Sequence, residues 1–223
     1  YRHHATYRRK NPTVHAPLSP QSVIAVVGTG AMGAGIAQVA AVAGHTVQLL
    51  DNRPQAAEDA IANIRAQIAK MADKGKLSPE RAAQASANLV AANKLSDLAN
   101  ASLVIEAIVE NLQAKQALYA ELEGIVSDDC IFGTNTSSIS VTAIGAVLKH
   151  PQRLAGLHFF NPAPVMKLVE LVARYAAPDS ARRGDSPSVE IGQHVVGAVD
   201  DLLCRSHRID LAVGKFFQRI DEQ

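Results

Sequence analysis

Gly28-Thr29-Gly30-Ala31-Met32-Gly33 stands between the β-type run Val23-Ile24-Ala25-Val26-Val27 and an apolar stretch that continues to about Ala43. Strand, glycine turn and helix in that order restrict the chain to a βαβ unit that carries a phosphate on its first turn. Gly28 permits the tight turn, Gly30 lets backbone approach a pyrophosphate, and Gly33 lets helix and strand pack closely. The helix N-terminus then faces the phosphates. The next strand, Thr46-Val47-Gln48-Leu49-Leu50, ends in Asp51, 23 residues after Gly28. An acid there hydrogen-bonds both ribose hydroxyls and repels a 2′-phosphate, so the expected cofactor is NAD and not NADP. Neighbouring Arg53 weakens that discrimination. A helix cap or surface acid is the blander alternative for Asp51.

Downstream, strands expected near Leu89-Ala92, Leu103-Ala107 and Cys130-Asn135 alternate with helices near Leu112-Ile125 and Ser140-Leu148. That alternation predicts an α/β fold, a Rossmann-like doubly wound and mostly parallel sheet. A helical hairpin is inserted after the second strand. Ile61, Ile64, Ile68 and Met71 form an apolar stripe at helical spacing, Gly75-Lys76-Leu77 breaks it, and Ser78-Pro79-Glu80 supplies a cap and first-turn proline for a second helix.

Residues 154-160 and 167-172 read as β runs, and Asn161-Pro162-Ala163-Pro164 between them cannot continue a strand. Folded back as an antiparallel pair centred near Pro164, they oppose residues whose numbers sum to 328, and His158 and Glu170 satisfy that sum. Directly opposed residues have Cβ atoms about 4.5 to 5.5 Å apart, so the carboxylate can accept an imidazole N–H. The bond fixes the tautomer, and histidine as a residue type titrates near enough to neutrality, about 6.5, to serve as a base for an alcohol proton. A structural ion pair is the alternative, which the neighbouring fingerprint disfavours. This antiparallel pair is expected to end the sheet.

Over residues 21 to about 172 the chain resembles the NAD-binding domain of L-3-hydroxyacyl-CoA dehydrogenases. Beyond the glycines, the resemblance rests on Val104-Ile105-Glu106-Ala107-Ile108-Val109-Glu110-Asn111, Lys115, Thr134-Asn135-Thr136-Ser137-Ser138 and His158-Phe159-Phe160-Asn161-Pro162. It implies His158 as catalytic base, Glu170 as its partner and Ser137 as a catalytic, substrate-contacting hydroxyl. It also implies Asp51, Glu110 and Lys115 as cofactor contacts and Asn161 as part of the active-site turn. The implied reaction is oxidation of a 3-hydroxyacyl-CoA to a 3-ketoacyl-CoA with NAD, in fatty-acid or phenylacetate-type degradation. Leu18-Ser19-Pro20-Gln21-Ser22-Val23-Ile24-Ala25 further resembles bacterial members acting on 3-hydroxybutyryl-CoA or 3-hydroxyadipyl-CoA. Blander alternatives remain: Thr-Asn-Thr-Ser-Ser is also an ordinary strand-to-helix turn with a capping hydroxyl, and Glu110 and Lys115 an exposed helix-start acid and a solvated lysine. Arg65, Lys70, Lys74 and Lys76 lie near the CoA end by resemblance, but a solvated helix face accounts for them equally, and none is assigned a role.

With 48% hydrophobic and 19% charged residues and a formal charge of +1, the composition carries no bias toward nucleic acid or membrane. No stretch approaches the roughly 20 apolar residues needed to span a bilayer. Cys130 and Cys204 form neither a metal motif nor a disulfide framework, which fits a reducing cytoplasm.

Both ends depart from the resemblance. Residues 1-20 are basic and acid-free, as a mitochondrial transit peptide would be, but they lack an amphipathic apolar stripe and are expected to be a disordered extension. After about Val172 the family's Pro-Gly-Phe segment, its Asn-Arg pair and its all-helical domain are not matched. That asparagine is a fourth active-site residue in the family, and the helices cover the cleft and make most of the homodimer contact. Residues 173-223 are therefore expected to be a divergent tail, from a frameshift or truncation or from genuine divergence, with apolar spacing over 189-203 that allows a helix. The enzyme reading is accordingly paired with a second, a non-catalytic NAD-binding fragment or a structural protein of the same fold.

Overall fold

The computed structural model describes residues 22–166 and 168–172, together with the backbone of 210–214. The helix expected over 189-203, the basic extension and Cys204 lie outside the described residues. Among the described residues, eight strands form a single sheet: β1 (Val23–Val27), β2 (Thr46–Leu50), β3 (Leu89–Ala91), β4 (Leu103–Glu106), β5 (Ile131–Thr134), β6 (Leu154–Phe159), β7 (Leu168–Val172) and β8 (Asp210–Gly214). Their spatial order is β3-β2-β1-β4-β5-β6-β7-β8. All neighbours from β3 through β6 are parallel, and β6 and β7 are antiparallel. The chain order reverses between β1 and β4, which opens a crevice at the carboxyl ends of those strands.

Helices cover the sheet as the apolar spacing predicts. α1 (Ala31–Ala43) is buried along nearly its whole length and packs, with Ile61, Ile64 and Ile68 of α2 (Ala56–Asp73), on one sheet face. The hairpin closes through Gly75 at positive φ, and α3 (Pro79–Ala87) starts where the Ser78 side chain accepts the Arg81 N–H at 3.3 Å. Arg65 donates to the Ser86 and Leu89 carbonyls, tying α2 to the end of α3 and the start of β3. On the other face α4 (Leu112–Glu123) sets Tyr119 edge-on against Phe132, with its hydroxyl bonded to the Gly133 carbonyl at 2.8 Å. Cys130 is buried in that layer, and desolvation pushes its thiol up to about 12, which leaves it unreactive.

Two differences from the expected elements have local causes. The helix expected over 140-148 is one α turn, α5 (Val141–Ile144), because Gly145 caps it and the backbone tightens over Gly145–Val147. The mostly parallel sheet followed by the antiparallel β6–β7 pair is as expected, and β8, which was not expected, lies parallel to β7 beyond that pair. Asp-Leu-Ala-Val-Gly carries too short an alternation, and a terminal glycine, to announce a strand.

Candidate active site at the carboxyl edge of the sheet

At the tip of β1, Gly28 has φ +95, and a Cβ there would come within 2.6 Å of the Ala107 carbonyl oxygen. A Cβ on Gly33 would overlap the Gly28 carbonyl, so both positions require glycine for the strand, turn and helix to close up. Gly30 differs, because an added Cβ there would meet nothing within 4 Å. Its missing side chain therefore serves no packing need of the chain itself. α1 begins beside it with no side-chain cap and no acid in its first turn, leaving the helix terminus free to receive an anion.

Asp51, just past β2, is held on both oxygens. Thr29 donates its N–H at 2.8 Å and its hydroxyl at 2.7 Å to Oδ2, while Arg53 forks onto the carboxylate at 3.0 and 3.2 Å. Arg53 is the main reason the carboxyl is held well below the usual carboxylate range, against the opposing effect of burial. The aspartate is therefore a fixed, ionised acceptor at the end of the second strand.

The tips of β4 and β5 hold a denser network. The side chains of Glu106 and Lys115 are both 0% exposed and lie 2.6 Å apart. Glu106 also accepts the Ile108 N–H at 2.8 Å and the Thr134 hydroxyl at 2.7 Å. Lys115 reaches on to Glu110 Oε2 at 3.2 Å. The other Glu110 oxygen accepts the Thr136 hydroxyl and the N–H groups of Ser137 at 2.9 Å and Ser138 at 3.2 Å. Partial burial would raise the Glu110 pKa, but the Thr136 hydroxyl, the Ser137 N–H and Lys115 outweigh it and bring the group down to about 2.

β6 continues past β5, so His158 projects from the same sheet edge. The register pairs His158 with Glu170 across the antiparallel strands, and Nδ1 lies 3.0 Å from Glu170 Oε2. Both side chains are 25% exposed. A carboxylate accepting from Nδ1 leaves Nε2 as the unprotonated nitrogen of a neutral ring, open to take a proton. The Phe160 ring packs against the imidazole with centroids 4.8 Å apart. The turn that follows carries exposed Asn161, and Ala163 and Pro164 lie within 3.2 Å of where a Cβ on Gly35 of α1 would stand. This packing seats the histidine turn on the helix that the glycine fingerprint opens. Asn135 ties the two neighbouring strand ends together by accepting the Phe159 N–H at 3.0 Å.

The candidate side chains other than Asn161 fall into three connected sets along one sheet edge: Asp51 with Thr29 and Arg53; Glu110, Lys115 and the Ser137 turn, joined through Glu106; and His158 with Glu170. Ser137 is joined to the second set through its backbone, and its side chain is exposed. Sequence reasoning did not single out Glu106, Thr134 or Thr136. An acid closing the otherwise apolar run Leu103-Val104-Ile105 was the available signal for the first.

Residues 23–200 match the family described as 3-hydroxyacyl-CoA dehydrogenase, NAD binding domain. The chain belongs to this family. Among curated relatives of the 3-hydroxyacyl-CoA dehydrogenases, it is 49% identical over 153 residues to 3-hydroxyadipyl-CoA dehydrogenase of Escherichia coli K12, covering 69% of this chain and 32% of that one. It is 37% identical over 178 residues to 3-hydroxybutyryl-CoA dehydrogenase of Bradyrhizobium diazoefficiens, covering 79% and 61%. The crystal structure of (S)-3-hydroxybutyryl-CoA dehydrogenase from Ralstonia eutropha superposes with a TM-score of 0.73 at 32% identity, over 87% of this chain and 64% of that one. The chain therefore spans between about a third and three fifths of the curated relatives named here. NAD is the cofactor of the matched domain. No helix among the described residues is long and apolar enough to cross a membrane.

Proposed function

We propose that the chain carries the cofactor and proton-transfer half of an NAD-dependent 3-hydroxyacyl-CoA dehydrogenase. The observation that carries this is the 3.0 Å His158–Glu170 contact on a turn packed against the fingerprint helix. Gly28, Gly30 and Gly33 would hold the pyrophosphate against the start of α1, with Asp51 on a ribose. Glu110 would face the cofactor from the β4 tip, and Lys115, expected as a second cofactor contact, has a fully enclosed side chain and would serve the site from behind Glu110. Bound NAD supplies the hydride acceptor.

His158 Nε2 takes the proton of the 3-hydroxyl as the carbon beneath it is oxidised, and Glu170 stabilises the imidazolium that results. The Ser137 hydroxyl hydrogen-bonds the reacting oxygen, and Asn161 lines the turn beside it. The names of the relatives point to short 3-hydroxyacyl or 3-hydroxyadipyl thioesters as the substrate class. Cytoplasmic residence and homodimer formation accompany this proposal as properties of the family.

The direct test is the absorbance of NADH mixed with acetoacetyl-CoA, run on the chain and on His158→Ala. Loss of a positioned acid/base costs about 10² to 10⁴ in rate, so oxidation of NADH should fall by that factor while NADH affinity is retained. Equal loss of both would make His158 a structural residue. No oxidation by the folded, NADH-binding parent chain would favour the second reading, a cofactor-binding unit without turnover.

A further inference from the structure

The ion pair between Glu106 and Lys115 is out of reach of solvent, with both side chains 0% exposed. Removing two charges from water carries a desolvation penalty that well-packed apolar side chains would avoid, so such a pair is a poor device for stability alone. Its geometry gives it an outlet. Glu106 is fully engaged by Lys115, the Ile108 N–H and the Thr134 hydroxyl, which leaves Lys115 one further partner, Glu110 Oε2. Glu110 then spends its other oxygen on Thr136, Ser137 and Ser138. The two oxygens of one carboxylate thus connect the buried pair on one side to the turn after β5 on the other.

We propose that Glu106 and Lys115 are positioning residues that fix the Glu110 carboxylate and, through it, the 136–138 turn and the direction of the Ser137 hydroxyl. Lys115 acts on the turn through Glu110, because its ammonium is enclosed between two carboxylates. The inference rests on the proposed dehydrogenase only for the use made of the Ser137 hydroxyl. The placement of the turn is a property of the folded chain whether or not it turns over.

The test therefore reads order and charge and not rate. Glu106→Leu/Lys115→Met replaces the pair by apolar side chains of similar size, the kind of exchange that buried pairs tolerate. Lys115→Gln is a second variant that keeps Glu106 bonded to Thr134 and Ile108. Amide hydrogen exchange and the titration of the Glu110 carboxyl carbon are followed by NMR on the full chain. Hydrogen bonds to a charged acceptor are strong enough that their loosening should speed exchange at Ser137 and Ser138 roughly tenfold or more. In Glu106→Leu/Lys115→Met the amides of β4 and β5 should keep their protection, whereas Lys115→Gln, which leaves Glu106 without its cation, should lower protection across the sheet and lower it further at Ser137 and Ser138. The Glu110 midpoint should climb from about 2 toward its ordinary 4.5, because the Lys115 charge that faces it from α4 is gone and only Thr136, Ser137 and Ser138 remain.

Unchanged exchange at Ser137 and Ser138 in a folded variant overturns the proposal. So does protection lost in the double variant as much throughout β4 and β5 as in the turn, or failure of both variants to fold, since the pair then serves the fold as a whole. A parent chain that shows the expected exchange pattern but oxidises no NADH would strike the proposed function and leave the positioning role standing. The converse result would strike only the positioning role.

Discussion

Two carboxylate–cation pairs stand at the tips of neighbouring parts of the sheet, and their surroundings make them different devices. At the tip of β2 the Asp51 side chain is 7% exposed, but its partner Arg53 is 67% exposed and two residues away in sequence. At the tip of β4, Glu106 and Lys115 are both fully enclosed and nine residues apart, with Lys115 rising from the first turns of α4. The exposed pair is closed by local chain geometry, and Thr29 holds Asp51 even without the arginine. The enclosed pair exists only because β4, β5 and α4 are already packed. Similar ion-pair chemistry therefore sets a single acceptor in one place and organises several segments in the other.

The sharpest way to break that comparison is to remove one charge from the enclosed pair. Lys115→Ala leaves Glu106 buried with no cation, and breaking a buried pair in this way costs on the order of 3 to 5 kcal/mol. Urea denaturation should show a midpoint lowered accordingly. A loss below about 1 kcal/mol, the range of exposed ion pairs, would mean that Glu106 is reached by water and that the two pairs are alike after all.

Acid titration gives the next largest effect. The folded Glu110 titrates at about 2 against an ordinary 4.5, so it contributes stability that is present above about 4.5 and lost as pH falls through 2. Discounted for a side chain that is 36% exposed, the contribution is on the order of 1 to 2 kcal/mol. Comparing the pH dependence of unfolding in the parent and in Glu110→Gln between pH 5 and about 2 isolates it. The parent should lose stability across that window by more than the variant does, and parallel curves would deny Glu110 its special surroundings.

Much of this edge of the molecule was legible in the sequence because its signals are local. The fingerprint needs only three glycines between a strand and a helix, and the His158–Glu170 register followed from two β runs around one proline turn, with all four observed cross-strand pairs summing to 328. The enclosed network was not legible in the same way. Glu106 was visible as an acid closing an apolar run, yet nothing local says that Lys115 turns inward or that Thr134, 28 residues on, supplies a hydroxyl. Lys115 stands on a helix whose neighbouring residues include exposed polar ones, so the pattern allows a solvated lysine as readily as a buried one. The strand at Asp210–Gly214 was missed for a related reason: its place is set by pairing with β7, and its five residues carry little periodicity of their own.

The smallest expected effect is also the one that separates the pairs by function. In Arg53→Ala the Asp51 carboxyl loses the chief cause of its lowered pKa and moves up toward the ordinary range, so the stability it lends above that range shrinks. Thr29 still donates two hydrogen bonds to Oδ2, so the aspartate keeps its place and remains ionised at neutral pH. The thermal midpoint should therefore barely move. Cofactor choice is where the change should appear. A lone carboxylate repels a 2′-phosphate more than one with a guanidinium forked onto it, so affinity for NADPH should fall further below that for NADH, read by fluorescence titration of each. If NADH affinity falls by the same factor, Arg53 is holding Asp51 in place, and the exposed pair organises its surroundings as the enclosed one does.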